Sequence, residues 1–493
     1  MPWESAVVSG MLRRFLLLAT ILASSPLAAA AAETQRLNVI SIVTDDQAAW
    51  SLGCYGNKES ITPNMDRLAK EGVRFENAFT VTPVCSPSRV TFLTGKYGAQ
   101  LGVTDWIAPN EAKAGLGLKK ETVTWPKVLQ GAGYTTALIG KWHLGETADA
   151  HPTAQGFDHF YGFLGGGTSP MNPTYDFPDG PKVVKGYGAD LLTDEALRWL
   201  GENRAKTFAL SLHFREPHTA YTPVPEQDSA LFANLDPTVP EPKGVDVQQV
   251  KTWTREYYAA IHSVDRNLGR LFAWLEKEGL WDKTIIQFTS DHGYNIGHHG
   301  IHTKGNGMWV AGGVTGPKRP NMWDTSLRIP LLVRWPGVTK PGAVVQQQVL
   351  NLDNFSSILG MVGVTPPAGW KVEGENFAPL LRGESVTWRS DWFGQYDLHN
   401  SGLAYMRMIR TDEWKYIRHF HANLMDELYD LKDDPGETKN LLTGAGRRDK
   451  APKINKAVED LDVKMESWMK RVNDPVLKET RKRGWFEEGE AYD

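Results

Sequence analysis

Cysteine is nearly absent from this chain, with two residues, Cys54 and Cys85, in 493. At most one disulfide can form, so a disulfide-stapled scaffold is excluded and each thiol needs its own explanation. An excess of positive charge is missing too. The formal net charge is -4 at pH 7, which offers no basic field to a polyanion and argues against nucleic acid as a partner. No apolar run reaches the ~20 residues of a membrane-spanning helix, so no stable membrane anchor is expected. No repeat or low-complexity tract is present beyond an alanine run.

What is there begins with MLRRFLLLATILASSPLAAAAAE from Met11. Two arginines, an apolar run from Phe15 to Ala23 and small residues ending in Ala-x-Ala choices near Ala30 to Ala32 read as a secretory signal. The expectation is removal of residues 1–32 and a secreted or periplasmic product.

Beyond it, short apolar, β-branched runs end abruptly in polar residues: Leu37 to Val43, Tyr134 to Ile139, Phe208 to Phe214, Thr284 to Phe288 and Ile329 to Val333. Each predicts a buried strand. Helical spacing lies between them at Met65 to Glu71, Val123 to Gly131 and Tyr257 to Glu278. Such alternation predicts an α/β fold, a mostly parallel sheet sandwiched by helices. Past Gly374 the pattern changes to short aromatic strands (Asp391 to Tyr396, Leu403 to Arg410, Glu413 to Ile417) and a terminal helix from Lys453 to Arg471. The reading is a large domain over 33–374 and a smaller antiparallel α+β subdomain over 375–493. The glycine-rich stretch from Gly305 to Pro320 reads as a loop.

In open α/β sheets ligands collect beyond the carboxyl ends of the strands. Those ends carry Asp45 and Asp46, Lys141 and His143, His218, and Asp291 with His292. Like-charged carboxylates brought together repel by roughly 4 kcal/mol per pair at 4 Å and an effective dielectric near 20. A hard divalent cation offsets that, and carboxylate donors favour calcium, then magnesium. One aspartate after a strand is equally well a helix N-cap; two acidic pairs on separate strands are harder to read that way. His298, His299 and His302 are read as a polar loop, and the 18 tryptophans mostly as dispersed packing residues. Cys54 is expected to be an ordinary buried thiol.

The most specific segment is VTPVCSPSRVTFLTGKY, Val81 to Tyr97. It resembles the signature of the formylglycine-dependent sulfatases, arylsulfatase-like members of the alkaline phosphatase superfamily, through Cys85, Pro87, Ser88, Arg89, Leu93, Thr94 and Gly95. The resemblance extends through Asp45–Asp46, GYTTALIGKWHLG from Gly133, HFREPH from His213, TSDHG from Thr289, KGNGMW with Lys304, and ELYDLKDDPGETKNLL from Glu427.

The resemblance implies oxidation of Cys85 to formylglycine by a formylglycine-generating enzyme, and a sulfated small molecule or saccharide as substrate. It implies a divalent ion on Asp45, Asp46, residue 85, Asp291 and His292. Lys141, His218 and Lys304 would hold the sulfate, Arg89 would orient the nucleophile, and His143 would take the proton when sulfate is expelled. His292 stands where many members have asparagine. A phosphodiesterase or phosphonate monoester hydrolase of the same fold is the nearest alternative; such relatives tend to lack the Lys-x-His pair and carry an amide for the second aspartate, so Lys141, His143 and Asp46 favour the sulfatase. A non-catalytic carbohydrate-binding homologue is the alternative from another class.

Overall fold

The computed structural model describes residues 36–242, 244–307, 320–400, 402–420, 425–443 and 451–477. The expected signal at 1–32, and residues 308–319 of the expected loop, lie outside them. From Leu37 on, the described residues form one compact unit. No helix among them is long and apolar enough to cross a membrane.

The strands are β1 (Asn38–Thr44), β2 (Val73–Phe79), β3 (Thr135–Lys141), β4 (His159–Phe163), β5 (Thr174–Phe177), β6 (Gly180–Val183), β7 (Phe208–His213), β8 (Thr284–Ser290), β9 (Asn295–Ile296), β10 (His302–Thr303), β11 (Leu331–Arg334), β12 (Ala343–Leu350), β13 (Asp391–Leu398), β14 (Ala404–Thr411), β15 (Trp414–His419) and β16 (Glu427–Asp430). A ten-stranded sheet runs β12-β2-β11-β8-β1-β7-β3-β4-β5-β6. β1 pairs in parallel with β7 and β8, β3 with β7 and β4, and β12 with β2, whereas β11 runs against both β8 and β2. β12, β2, β8, β1, β7, β3 and β4 therefore deliver their carboxyl ends to one edge. β11 ends at the other, which takes Arg334 away from it.

The runs are continuously apolar because both faces of the sheet are covered. Ile40 and Ile42 of β1 enter a core with Tyr257 and Leu268 of the helix Val247–Lys277. Val39 and Val43 enter a second core with Leu129 and Leu138. A separate antiparallel sheet, β13-β14-β15-β16, forms the C-terminal part with the helix Ala451–Arg471. Its Trp392, Met406 and Met408 share a third core with Phe79, Val81 and Val84, and the Gln395 N–H donates to the Val81 carbonyl at 2.9 Å. The loop leading to Cys85 is thus backed by the second sheet. Cys54 departs from expectation: it is only partly buried, at a turn where its N–H donates to Asp66 Oδ1 at 2.7 Å.

The helix Pro63–Glu71 feeds β2, and its N-terminal residue Thr62 makes no side-chain cap. Asp265, from the long helix, supplies the cap instead, accepting from the Asn64 N–H at 3.0 Å and the Met65 N–H at 2.8 Å. Burial pushes its carboxyl up to about 6, against those hydrogen bonds. A carboxyl raised on folding contributes stability that is complete below the ordinary value of 3.8 and is lost as pH rises through about 6. Asp265→Asn should therefore flatten the fall in unfolding free energy across that window by roughly 3 kcal/mol, at about 1.4 kcal/mol per pH unit. Urea unfolding of both proteins over the window checks this; parallel profiles would contradict it.

Candidate active site

β1 passes directly into Asp45 and Asp46, both buried. Asp46 holds a φ of 66°, in the left-handed region that aspartate enters more readily than most residues. That turn is braced from two sides. The Asp46 N–H donates to Asp291 Oδ1 at 3.2 Å. The Tyr257 hydroxyl donates to the Asp46 carbonyl at 2.7 Å and accepts from the Ala48 N–H at 3.1 Å.

Cys85 follows β2 and opens the buried helix Cys85–Thr94, which has no side-chain cap. The positive end of the helix dipole and its free N–H groups therefore lie at Cys85. The helix ends at Gly95, whose φ of 66° closes the last turn by donating to the Thr91 carbonyl. One turn in from Cys85, Arg89 donates through Nε to Asp291 Oδ2 at 3.1 Å, and its Nη2 lies 2.9 Å from the same oxygen. The Nη2 contact is an ion pair without hydrogen-bond geometry, whereas Nη1 donates to the Lys141 carbonyl at 3.2 Å and faces His213 Nδ1 at 3.4 Å.

Lys141, the last residue of β3, donates to Asp45 Oδ2 at 2.5 Å. Lys304, just past β10, donates to Asp46 Oδ1 at 2.5 Å and to Cys85 Sγ at 3.4 Å. His292 Nε2 lies 3.2 Å from Asp46 Oδ1 and 3.5 Å from Cys85 Sγ. The carboxylates are thus already paired with protein cations, so repulsion among them is not by itself a demand for a metal. What the arrangement offers a metal is convergence. Ligand atoms of Asp45, Cys85, Asp291 and His292 lie within 4.8 Å of one another, as do those of Asp45, Asp46, Cys85 and His218. His218 is an addition to the expected donor set.

Opposing fields set the protonation states. Burial alone would raise Asp45, but Lys141, then His218 and Arg89, outweigh it and hold the carboxyl well below its usual range. Burial would also raise the Cys85 thiol, and Lys141 and Lys304 reverse that, so residue 85 sits where negative charge is favoured. His292 is pushed up to about 9 against burial by Asp291 and Asp46. His143 goes the other way, down to about 3, through burial and the nearby Lys141 ammonium. His218 is also held well below its usual value by burial and Lys304.

His143 and His218 both line the cavity, and His218 also comes within reach of the ion cluster. The cavity, about 420 Å³, is lined by Asp46, Cys85, His143, His218 and Lys304 among others. His143 has a φ of 60°. Its Nε2 is 3.0 Å from the Ile107 carbonyl, so that nitrogen carries the hydrogen, and its buried Nδ1 has no protein partner. Gly166 permits this placement, since a Cβ there would lie 2.7 Å from the imidazole. His218 Nδ1 lies 2.6 Å from the Thr219 carbonyl, which leaves Nε2, 3.8 Å from Asp46 Oδ2, as the lone-pair nitrogen of the neutral ring. Of the other loop histidines, His299 stacks on Trp323 and His302 on Trp253, as packing residues do.

The expected site residues therefore meet: Asp45, Asp46, Cys85, Arg89, Lys141, Asp291, His292 and Lys304 form one bonded network, and His143 and His218 line its opening. Sequence reading missed the supports. Tyr257 hid in the apolar stripe of its helix. His213 ends β7 inside the motif that places His218, with no signal of its own. Asn351, at the end of β12, donates to Ser88 Oγ and Thr80 Oγ1 at 3.0 and 2.9 Å, while Ser88 Oγ donates to the Asp291 carbonyl. Removing the Tyr257 hydroxyl leaves a buried carbonyl and a buried N–H unpaired, at about 1 to 3 kcal/mol. Tyr257→Phe should lower kcat/KM roughly tenfold with the fold retained by circular dichroism; unchanged kinetics would contradict its role in holding Asp46.

A family model described as Sulfatase matches residues 37–364, and one described as N-sulphoglucosamine sulphohydrolase, C-terminal, matches residues 317–464. The chain is 30% identical to N-acetylglucosamine-6-O-sulfatase of Bacteroides thetaiotaomicron, over 91% of this chain and 89% of that protein. It is 29% identical to steryl-sulfatase of Mus musculus, over 87% and 82%. A solved structure, in complex with its substrate D-glucosamine-2-N,6-O-disulfate, superposes with a TM-score of 0.75 at 27% identity, covering 90% of this chain and 99% of that one. The chain belongs to the sulfatase family of sulfuric ester hydrolases.

Proposed function

We propose that the chain hydrolyses a sulfate ester carried by a carbohydrate, using formylglycine made from Cys85 and one bound calcium ion. The observation that carries this reading is the setting of Cys85: it starts a buried helix, with Lys304 at 3.4 Å and His292 at 3.5 Å from Sγ, and with Asp45, Asp46 and Asp291 around it. Asp45, Asp46, Asp291 and His292 are the proposed metal ligands, with residue 85. The predominance of carboxylate donors supports calcium over a softer metal. Bound there, the ion supplies positive charge to sulfate oxygens and to the nucleophile. Formylglycine supplies, as its hydrate, one hydroxyl to attack sulfur and a second whose deprotonation lets sulfate leave; a bare thiol has no such exit.

The protein groups then have separable tasks. Lys141 and Lys304 bring ammonium groups to the anionic ester, and Arg89, fixed on Asp291, orients residue 85. His143 lines the cavity and has a neutral Nδ1 without a protein partner, which suits it to accept the proton when sulfate is expelled. His218 binds sulfate oxygens through Nε2 only if that nitrogen is protonated, since Nδ1 is turned to Thr219. Lys304 keeps its proton through Asp46, and we assign leaving-group protonation to it first. The sulfated-sugar relatives support a carbohydrate substrate. The N-terminal charge and apolar pattern supports export with loss of residues 1–32, and the motif from Cys85 to Arg89 supports maturation by a formylglycine-generating enzyme.

Peptide mass spectrometry of fully active protein should find formylglycine at position 85, and Cys85→Ala should lose activity; a wholly unmodified, fully active Cys85 would end the mechanism. Metal analysis of the same protein should find one divalent ion per chain, lost in Asp291→Asn. Finding no divalent ion in active protein would remove the metal assignment. Leaving-group dependence tests the division of labour. A sugar alkoxide needs protonation far more than a nitrophenolate, so Lys304→Ala should cost more in kcat/KM with the sugar, up to the ~10² to 10⁴ typical of proton-transfer catalysis. His143→Ala should instead lower kcat on both substrates to a common value and change kcat/KM much less. Equal losses for Lys304→Ala on both substrates would remove its leaving-group role.

A further inference from the structure

The cavity over Cys85 has two unlike parts. Its cationic part is already committed: Lys304 to Asp46 and Cys85, and Arg89 and Lys141 to Asp291 and Asp45 beneath. Apart from His143, His218 and Pro109, the rest of the wall is Val84, Trp106, Ile107, Tyr294 and the run Gly165 to Gly167, with neutral Thr219, Thr303 and Asn306 between them. Among the described lining residues there is no arginine, and no lysine besides Lys304. A second anionic group entering this space would lose its hydration, and the described lining offers it no lysine or arginine beyond Lys304.

Trp106 is a fixed surface rather than a loose flap. Its N–H donates to Asp105 Oδ1 at 2.8 Å, and its carbonyl accepts from Asn400 Nδ2 at 2.9 Å. The next N–H, of Ile107, donates to Ser86 Oγ at 3.0 Å, beside the nucleophile. Asp105 is itself held by the Tyr396 hydroxyl and by the N–H groups of His399 and Asn400, each at 2.9 Å. The backbone that carries the indole is thus tied both to the Cys85 helix and to the second sheet, and the side chain packs against the third core, its own N–H finding no partner among the described residues. Gly167 has nothing within 4 Å of where a Cβ would lie, so this end of the glycine run leaves open space beside the cavity. An indole carried on fixed backbone and packed against the third core, beside open space, suits a ring with an apolar face, such as the C–H face of a pyranose.

We propose that this wall selects a leaving group that is an otherwise uncharged ring seated against Trp106, and rejects a ring bearing a second sulfate or a carboxylate. The proposal rests on the sulfatase reading above and deepens it.

The test uses the matured full chain turning over 4-nitrophenyl sulfate, with N-acetylglucosamine monosulfates and their 2-N-sulfated counterparts as competitors. Each monosulfated sugar should compete at least about tenfold more tightly than its disulfated partner. Trp106→Ala should weaken the monosulfated sugars by a similar factor and Trp106→Phe should restore much of it, while inhibition by inorganic sulfate, which makes no use of the wall, stays as it was. Disulfated sugars competing equally well or better would overturn the proposal, as would Trp106→Ala leaving sugar competition unchanged. Absence of turnover with 4-nitrophenyl sulfate and with every sugar would instead sink the sulfatase reading itself.

Discussion

The structure depends on a cluster of opposite charges held out of water at the carboxyl edge of the sheet. Asp45, Asp46 and Asp291 meet Lys141, Lys304 and Arg89 there, all buried. Taking such groups from water costs several kcal/mol per ion, and their attraction repays it only when geometry is close and every remaining donor has a partner. Deleting one partner leaves another charge bare, typically at 3 to 5 kcal/mol. The cluster is therefore better understood as an arrangement kept for chemistry than as a source of stability. It concentrates field on residue 85, where an anionic ester must be bound and negative charge must develop.

Much of the fold supplies the rigidity such a cluster needs. β1, β3 and β8 bring three of its corners on parallel, doubly covered strands, so the spacing of those corners is the spacing of the sheet. The fourth corner is a helix start, reached from β2 through a loop that the second sheet packs against. Tyr257 fixes the Asp46 turn from one side. On another, Asn351 and Ser88 connect the end of β12 and the Cys85 helix to the Asp291 carbonyl. Asp46 and His143 both hold positive φ without being glycine, a conformation that persists only where surroundings over-determine it.

The parts legible in the sequence were those where local and global demands coincide. β1, β3, β7 and β8 are buried on both faces, so they read as unbroken apolar runs ending in the polar residues that form the site. β2 and β12 lie toward one side of the sheet and are half exposed; VRFENAF and AVVQQQVL alternate or carry a polar run, and β12 also shifts register between Val345 and Gln348. They gave no continuous apolar signal, although one of them delivers Cys85. The edge strands β4 to β6 escaped for the same reason. Asp45, Asp46, Lys141, Asp291 and His292 were visible through their place after strands, and Cys85 and Lys304 through motif resemblance. Tyr257, His213 and Asn351 were not visible, because a tyrosine in an apolar stripe, a histidine ending a strand and an asparagine after one acquire meaning only from what the fold sets beside them.

The central claim is that this charge cluster is built to transfer a sulfuryl group rather than a phosphoryl or phosphonyl one, on a fold that accommodates all three. It is tested most directly by kcat/KM of the matured protein for a matched series: 4-nitrophenyl sulfate, 4-nitrophenyl phosphate, a bis-4-nitrophenyl phosphate diester and a 4-nitrophenyl phosphonate monoester. The account predicts the sulfate as the best substrate of the four. A phosphorus ester turned over faster than the sulfate, by protein carrying formylglycine and its metal, would contradict it.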